Sequence, residues 1–237
     1  MNLLANILTI LSLGCGFVSI IFSLEAHFTF ASWAIIISVI FDGLDGQVAR
    51  RNPIPSEFGK ELDSLSDVVS FGIAQASLGY FFIYNRFDFW ATLVLFMYLI
   101  SSVMRLAKYN ITPKEKMEHY FIGLPTTCSG GILASFILVY KRYTQLPPPE
   151  FLFLILVLVL AVLMLSKIRY ANLDGLKHLL IRNKPFILAV VFIPLITVAG
   201  FFLLTQVILP ELIILALFAI YLLFSPFVLK SLNALPR

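Results

Sequence analysis

The chain has 237 residues and a formal net charge of +4; 60% of its residues are hydrophobic and only 13% are charged. Soluble domains carry about 25% charged residues, so this composition excludes a soluble enzyme and leaves no room for a separate soluble domain. We expect an all-α, polytopic integral membrane protein that forms a single membrane domain over residues 1–237.

Apolar segments long enough to cross a bilayer recur along the whole sequence. They predict about eight transmembrane helices, and an even number of crossings places both termini on the same side of the membrane. The predicted helices lie near residues 3–23, 29–48, 59–81, 88–109, 120–140, 150–166, 185–205 and 207–229.

Lysine and arginine are distributed unequally between the two ends of these helices. Fourteen of the 17 fall on the side that holds both termini, and three, Arg86, Lys141 and Arg142, fall on the other. Because short loops rich in Lys and Arg stay in the cytoplasm, we expect cytoplasmic termini in the cell membrane. The same basic face would attract anionic lipid head groups.

Six of the 13 carboxylates fall between Asp42 and Asp67, where the second and third predicted helices meet. Asp42 and Asp45 are three residues apart and Asp63 and Asp67 are four apart, so each pair shares one helix face. A short turn makes these faces oppose each other and form a pocket that opens to the cytoplasm. Because a charge within a membrane costs about 2.5–3.5 kcal/mol, four acids there need a partner, most simply divalent metal.

The residues around the acids indicate which ligand the pocket holds. Oxygen ligands without His or Cys suit Mg, Mn or Ca, and four carboxylates can hold two ions about 4 Å apart, which supports displacement at phosphorus. Gly46, Ala49 and Gly59 leave space for a group to approach the backbone. Arg50 offers a planar fork for phosphate oxygens. Together they predict a metal-bound diphosphate substrate.

These residues form the pattern D-x2-D-G-x2-A-R-x8-G-x3-D-x3-D, which resembles the signature of the CDP-alcohol phosphotransferase family. All eight fixed positions are present: Asp42, Asp45, Gly46, Ala49, Arg50, Gly59, Asp63 and Asp67. The resemblance covers the first six predicted helices. It therefore divides the domain into a family core, residues 1–170, and two C-terminal helices within residues 171–237.

The resemblance implies an enzyme of phospholipid biosynthesis that transfers a phosphatidyl group from a CDP-linked lipid to an alcohol and releases CMP. It implies that the four aspartates bind two metal ions and that Asp67 is also the general base. Gly46, Ala49 and Gly59 would line the cytidine pocket, and Arg50 would contact the diphosphate. It further implies a homodimer. We expect membrane lipid as a partner and no nucleic acid.

Further segments resemble the phosphatidylserine synthase branch of the family, which implies CDP-diacylglycerol as the donor and L-serine as the acceptor. These segments are residues 70–74 (SFGIA), 105–110 (RLAKYN), 121–125 (FIGLP) and 164–170 (MLSKIRY). A zwitterionic acceptor needs a cation for its carboxylate. We predict that Arg105, Lys108 and Lys167, at the cytoplasmic ends of the fourth and sixth helices, bind it.

Other functions fit parts of the same pattern. The chemistry could use glycerol phosphate, inositol phosphate or choline as the acceptor, or an ether-lipid CDP donor. A cation transporter could bind ions at the four aspartates, although transporters often show paired halves and the acidic pattern occurs once in this chain.

Overall fold

Helices account for nearly all of the chain that the structure describes. The structure, a computed structural model, describes residues 3–50, 57–83, 88–112, 120–142, 150–172 and 210–233. The helices are α1 (Leu3–Leu24), α2 (Phe28–Arg50), α3 (Glu57–Asp67), α4 (Ala74–Ile83), α5 (Asp88–Ile111), α6 (Thr126–Arg142), α7 (Glu150–Leu165) and α8 (Pro210–Asn233). Two short strands, β1 (Tyr120–Ile122) and β2 (Arg169–Ala171), and a π-helical turn, Val68–Ile73, complete the described elements.

Within the described ranges, four helical segments are long and apolar enough to cross a membrane. They are Leu3–Leu24, Phe28–Arg50, Glu57–Ile83 and Phe89–Ile111, while α7 and the first part of α8 are apolar but shorter. These segments confirm the expected helical membrane protein. The described ranges hold seven helical segments, counting Glu57–Ile83 as one. The predicted helix at 185–205 lies outside the described ranges, so the total of eight is not confirmed.

The third segment changes its helical form directly after the last aspartate of the motif. At Asp67, α3 passes into a π-helical turn, Val68–Ile73, which continues into α4. The amide of Ala74 bonds to the carbonyl of Val69, five residues earlier. The wider turn lets three successive residues, 70–72, be buried together. Such turns occur frequently at functional sites.

Small residues on α1 bring it close to the two segments that carry the aspartates. The hydroxyl groups of Ser12 and Ser38 lie 2.8 Å apart between α1 and α2. A Cβ at Gly16 would lie 2.6 Å from Oγ of Ser70 in the π-helical turn, so the backbones are in close contact there. Small and hydroxyl residues support this kind of packing between membrane helices.

A two-stranded ribbon, β1–β2, occupies the place where the sequence predicts the start of the fifth helix. That prediction is wrong at its beginning, because α6 begins at Thr126 rather than at residue 120. Residues 120–122 instead pair antiparallel with residues 169–171, with Tyr120 opposite Ala171. Gly123 ends β1 with a φ of 80°, and a Cβ there would clash with the carbonyl oxygen of Met164. The helix therefore cannot extend back through this glycine.

A core of fully buried side chains joins the π-helical turn to helices α4, α5 and α7. Phe71, Leu78, Tyr98 and Phe153 are all inaccessible to solvent. On one side of this core, α8 packs along α6 and onto β2. Nη1 of Arg142 lies 3.8 Å from Oε1 of Glu211, where the end of α6 meets the start of α8. The core also includes residues of α2 and α6, so it holds these helices against α5 and the π-helical turn that follows Asp67.

Candidate active site

Three carboxylates of the motif converge between α2 and α3. One oxygen atom each from Asp42, Asp63 and Asp67 lies within 4.8 Å of the others. The side chains of Asp42 and Asp67 are also within hydrogen-bonding distance of each other. Two carboxylates in such a contact need a proton or a cation between them. An all-oxygen donor set of this kind fits a hard divalent cation.

The fourth aspartate, Asp45, is held by a different contact. It is 4% exposed, and the hydroxyl of Thr9 donates a hydrogen bond to its Oδ2 at 2.7 Å. It is not in the group of three converging oxygens, although its charge acts on Asp63. Asp45 is therefore oriented by α1 at the edge of the three-carboxylate cluster, which we define as Asp42, Asp63 and Asp67.

Helix α1 also positions the segment that carries Asp67. The hydroxyl of Ser66 donates to the backbone carbonyl of Thr9 at 3.1 Å. Thr9 thus contacts α2 through its side chain and α3 through its main chain. Neither Thr9 nor Ser66 belongs to the motif that the sequence shows. The signal that indicates a buried helix–helix face is the recurrence of glycine and hydroxyl residues along an apolar helix, at Thr9, Ser12, Gly16 and Ser19.

A buried arginine lies behind the cluster. Arg105, on α5, is 8% exposed, and its Nη1 donates to the hydroxyl of Thr126 at 3.2 Å. That hydroxyl in turn donates to Oδ2 of Asp67 at 3.4 Å. Thr126, the first residue of α6, therefore connects the guanidinium to the cluster. The Nε of Arg105 is buried without a hydrogen-bond partner among the described residues.

Two aromatic rings lie beside the guanidinium of Arg105. Its Cζ is 5.4 Å from the ring centroid of Tyr109 and 5.9 Å from that of Phe121 on β1. The two rings are themselves 5.9 Å apart. They restrict the guanidinium on the side of the ribbon, and cation–π attraction stabilises it there.

The residues predicted to bind the nucleotide lie along the ends of α2 and α3. Gly46 and Gly59 are partly buried, whereas Ala49 and Arg50 are exposed. A Cβ at Gly46 would have no protein atom within 4 Å. Packing within the described chain therefore does not explain a glycine there. The charge of Arg50 acts on Tyr109, so Arg50 lies at the same end of the site as the aromatic rings.

The other two predicted acceptor residues are on the surface. Lys108 and Lys167 are both exposed, and in the described ranges neither forms an ion pair with the three-carboxylate cluster.

A different lysine is near the site and was not identified from the sequence. Nζ of Lys60 donates to the backbone carbonyl of Asn110 at 2.8 Å, and Asn110 donates to the hydroxyl of Ser64 at 2.8 Å. These contacts join α3 to α5.

The sequence model of one family, CDP-alcohol phosphatidyltransferase, matches residues 2–166 of the chain. This range includes all four aspartates, Arg105 and Thr126. The chain belongs to the CDP-alcohol phosphatidyltransferase family. It is therefore an enzyme, a membrane-embedded transferase of phospholipid synthesis, as the motif predicts.

Curated relatives match most of the length of the chain. It is 36% identical over 197 residues to a CDP-diacylglycerol–serine O-phosphatidyltransferase of Helicobacter pylori, covering 83% of this chain and 82% of that protein. A protein of the same name from Methanocaldococcus jannaschii is 35% identical over 161 residues, 68% of this chain and 73% of that protein. An archaetidylserine synthase of Methanothermobacter thermautotrophicus is 32% identical over 175 residues, with 73% and 71% covered.

Proposed function

We propose that the protein transfers a phosphatidyl group from CDP-diacylglycerol to L-serine and forms phosphatidylserine and CMP. The observation that carries this proposal is the three-carboxylate cluster joined through Thr126 to the buried Arg105. The three-carboxylate cluster would hold the metal that binds the diphosphate of the donor. The guanidinium of Arg105 beside it would bind the carboxylate of an amino-acid acceptor. The names of the relatives support the choice of serine.

Asp42, Asp45, Asp63 and Asp67 would hold two divalent cations, Mg, Mn or Ca, which all prefer oxygen ligands. When bound, such cations offset the charge of the diphosphate and stabilise CMP as a leaving group. Without cations, the contact between Asp42 and Asp67 needs a proton. The two carboxylate oxygens of Asp45 differ in their hydrogen bonding, because Oδ2 accepts the hydrogen bond from Thr9.

The reaction exchanges one phosphorus–oxygen bond for another. The serine hydroxyl oxygen attacks the phosphorus that carries the diacylglycerol, the bond from that phosphorus to the CMP oxygen breaks, and the hydroxyl proton passes to Asp67. Asp67 is suited to this role because it is 7% exposed and is oriented by the Thr126 hydroxyl. A base held within reach of the hydroxyl contributes about 10²–10⁴-fold to the rate.

Arg105 would bind the carboxylate of serine. A guanidinium carries five N–H donors, and in Arg105 the Nε is buried without a partner among the described residues. Leaving a buried donor unpaired is costly, and a carboxylate ligand would remove that cost. Lys108 and Lys167 are exposed and would contribute through longer-range attraction. Gly46, Ala49, Arg50 and Gly59 would hold the CDP portion of the donor.

An ether-lipid donor is the second candidate, because one relative is named archaetidylserine synthase. The reaction would be unchanged, since the two donors differ in the lipid rather than in the CDP group.

We further propose that the protein lies in the cytoplasmic membrane as a homodimer with its active site facing the cytoplasm. The basic residues near the site support this orientation.

The test is CMP release by purified protein in nanodiscs with Mn or Mg. Serine, glycerol phosphate, inositol phosphate and choline are offered separately, each with CDP-diacylglycerol and with a CDP-activated ether lipid. We expect release with serine, and none when a chelator removes the metal. Release with a different alcohol would retain the transferase reaction and overturn serine as the acceptor.

A further inference from the structure

The C-terminal helix α8 lies beyond the part of the chain that the family model matches, which ends at residue 166. The ribbon strand β2, at 169–171, also lies beyond it. These two elements contact each other closely, and the ribbon contacts the candidate active site. The described contacts therefore form a continuous path from α8 to Arg105.

The first part of this path joins α8 to the main chain of β2. The amide of Ala171 donates to Oγ of Ser225 at 2.6 Å, and the hydroxyl of Tyr221 donates to the carbonyl of Ala171 at 3.0 Å. Two side chains of α8 thus satisfy both main-chain polar groups of one strand residue. Within a membrane protein an unsatisfied strand edge is costly, so α8 stabilises β2 as a neighbouring strand would.

Packing of aromatic rings holds α8 in this register. The ring of Tyr170, which is 1% exposed, stacks on that of Tyr221 with centroids 6.0 Å apart and planes 26° apart. A Cβ at Gly131 on α6 would clash with the ring of Phe218 on α8. The position of α8 is therefore fixed against α6 as well as against the ribbon.

The second part of the path joins the ribbon to the acceptor side of the active site. Strand β2 pairs with β1, with Phe121 opposite Tyr170. The ring of Phe121 lies 5.9 Å from Cζ of Arg105. Five residues after Phe121, Thr126 accepts the hydrogen bond from Arg105. A shift of β2 would therefore move two of the groups that orient the guanidinium.

We propose that α8 is a clamp in which Tyr221 and Ser225 are positioning residues for the acceptor subsite. They hold the ribbon so that Phe121 and Thr126 keep the Arg105 guanidinium in the orientation that binds the acceptor's carboxylate. The identity of that acceptor rests on the proposed function, whereas the clamp itself rests on the contacts of α8 with β2.

The test compares Tyr221→Phe, Ser225→Ala and the double variant with Leu217→Ala and Leu223→Ala in full-length protein in nanodiscs. Tyr221→Phe keeps the ring stack and removes one hydrogen bond, and Ser225→Ala removes the other. Leu217 and Leu223 are on the same helix but are 56% and 61% exposed. Amide hydrogen exchange of residues 120–123 and 168–171 reports the clamp without any substrate.

We expect ribbon exchange to become faster by about 2- to 10-fold in each single variant, as loss of one hydrogen bond implies, and more in the double variant. The KM for serine should rise by about 3- to 10-fold in the double variant while the KM for the CDP lipid changes less than about twofold. Neither leucine control should alter ribbon exchange or either KM.

Unchanged ribbon exchange in the double variant would overturn the clamp. Faster exchange with an unchanged KM for serine would overturn its link to the acceptor subsite. Failure of the proposed function would be seen separately, as wild-type protein that uses another alcohol. In that case the exchange data still decide whether the clamp exists, and the KM for that alcohol decides whether it positions the subsite.

Discussion

Asp67 is the residue at which contacts from three helices meet. Its carboxyl lies beside Asp42 of α2 and accepts a hydrogen bond from Thr126 of α6, while the charge of Arg105 on α5 acts on it. The π-helical turn begins at the next residue. A group that transfers a proton needs this kind of fixed orientation, and no other aspartate of the motif has the same set of partners among the described residues.

Replacing Asp67→Asn should abolish turnover while binding of the CDP lipid survives. The amide has nearly the same shape but cannot accept the hydroxyl proton, so the rate should fall by about 10²–10⁴-fold. Single-turnover CMP release and equilibrium binding of the CDP lipid measure the two properties separately. Glu61→Gln, an exposed acid of the same helix, is the control. Turnover near the wild-type level would remove Asp67 from the role of base.

Replacing Arg105→Ala should raise the KM for serine far more than the KM for the CDP lipid. Loss of a hydrogen bond to a charged group costs about 1.5–3 kcal/mol, which corresponds to roughly 10- to 150-fold in the KM for serine. The Arg105→Lys variant keeps the charge but loses the planar fork. Its KM for serine should therefore lie between those of the wild type and Arg105→Ala. The exposed Lys108→Ala and Lys167→Ala should have smaller effects. Equal increases in both KM values for Arg105→Ala would contradict a role in serine binding.

The sequence alone predicts the aspartates but not the residues that orient them. The spacing of Asp42, Asp63 and Asp67 places them on opposing helix faces, because helix geometry relates residues three or four apart. Thr9 and Thr126 contact Asp45 and Asp67 across 36 and 59 residues of sequence. No local pattern encodes such contacts, since they depend on how whole helices pack.

At the level of elements, long helices are predictable and short irregular elements are not. The predicted bounds of the first and fourth helices, 3–23 and 88–109, lie within two residues of α1 and α5, because a bilayer requires a long apolar run. Strands of three residues are too short to show alternation. The π-helical turn Val68–Ile73 has no signal in composition, because its form follows from packing against α1 and α5.

Gly123 is the residue on which the junction between the ribbon and α6 depends. Its φ of 80° is strained for any other residue by about 1–3 kcal/mol, and a Cβ would also clash with the carbonyl of Met164. Gly123→Ala should therefore lower the thermal midpoint of unfolding and raise the KM for serine, because Thr126 follows three residues later.

The matched control for this substitution is Gly14→Ala. A Cβ at Gly14 would have no protein atom within 4 Å, and alanine is favoured over glycine within a helix by about 0.5–1 kcal/mol. This variant should keep or raise the thermal midpoint. If Gly123→Ala unfolds at the same temperature as the wild type and its KM for serine is unchanged, the conformation of Gly123 is not needed for stability or for serine binding.

At the scale of the whole molecule, the arrangement of helices places the active site near one end of the bundle. Lys108 lies at the end of α5 close to Tyr109 and Arg105, whereas Arg142 lies at the far end of α6 with Glu211. The distribution of Lys and Arg along the sequence predicts that the first of these ends is cytoplasmic. Soluble serine and released CMP would then exchange directly with the cytoplasm.

Labelling of single cysteines tests this orientation. The two native cysteines, both partly buried, are first replaced with serine, and Lys108→Cys and Arg142→Cys are introduced separately at exposed positions. A membrane-impermeant maleimide should label Lys108→Cys in inverted vesicles and Arg142→Cys in right-side-out vesicles, because the ends of α5 and α6 face opposite sides. CMP release in the cysteine-free parent verifies that the protein remains active. Labelling of the two positions in the reverse orientation would place the active site on the outer face and would contradict the proposed access of serine from the cytoplasm.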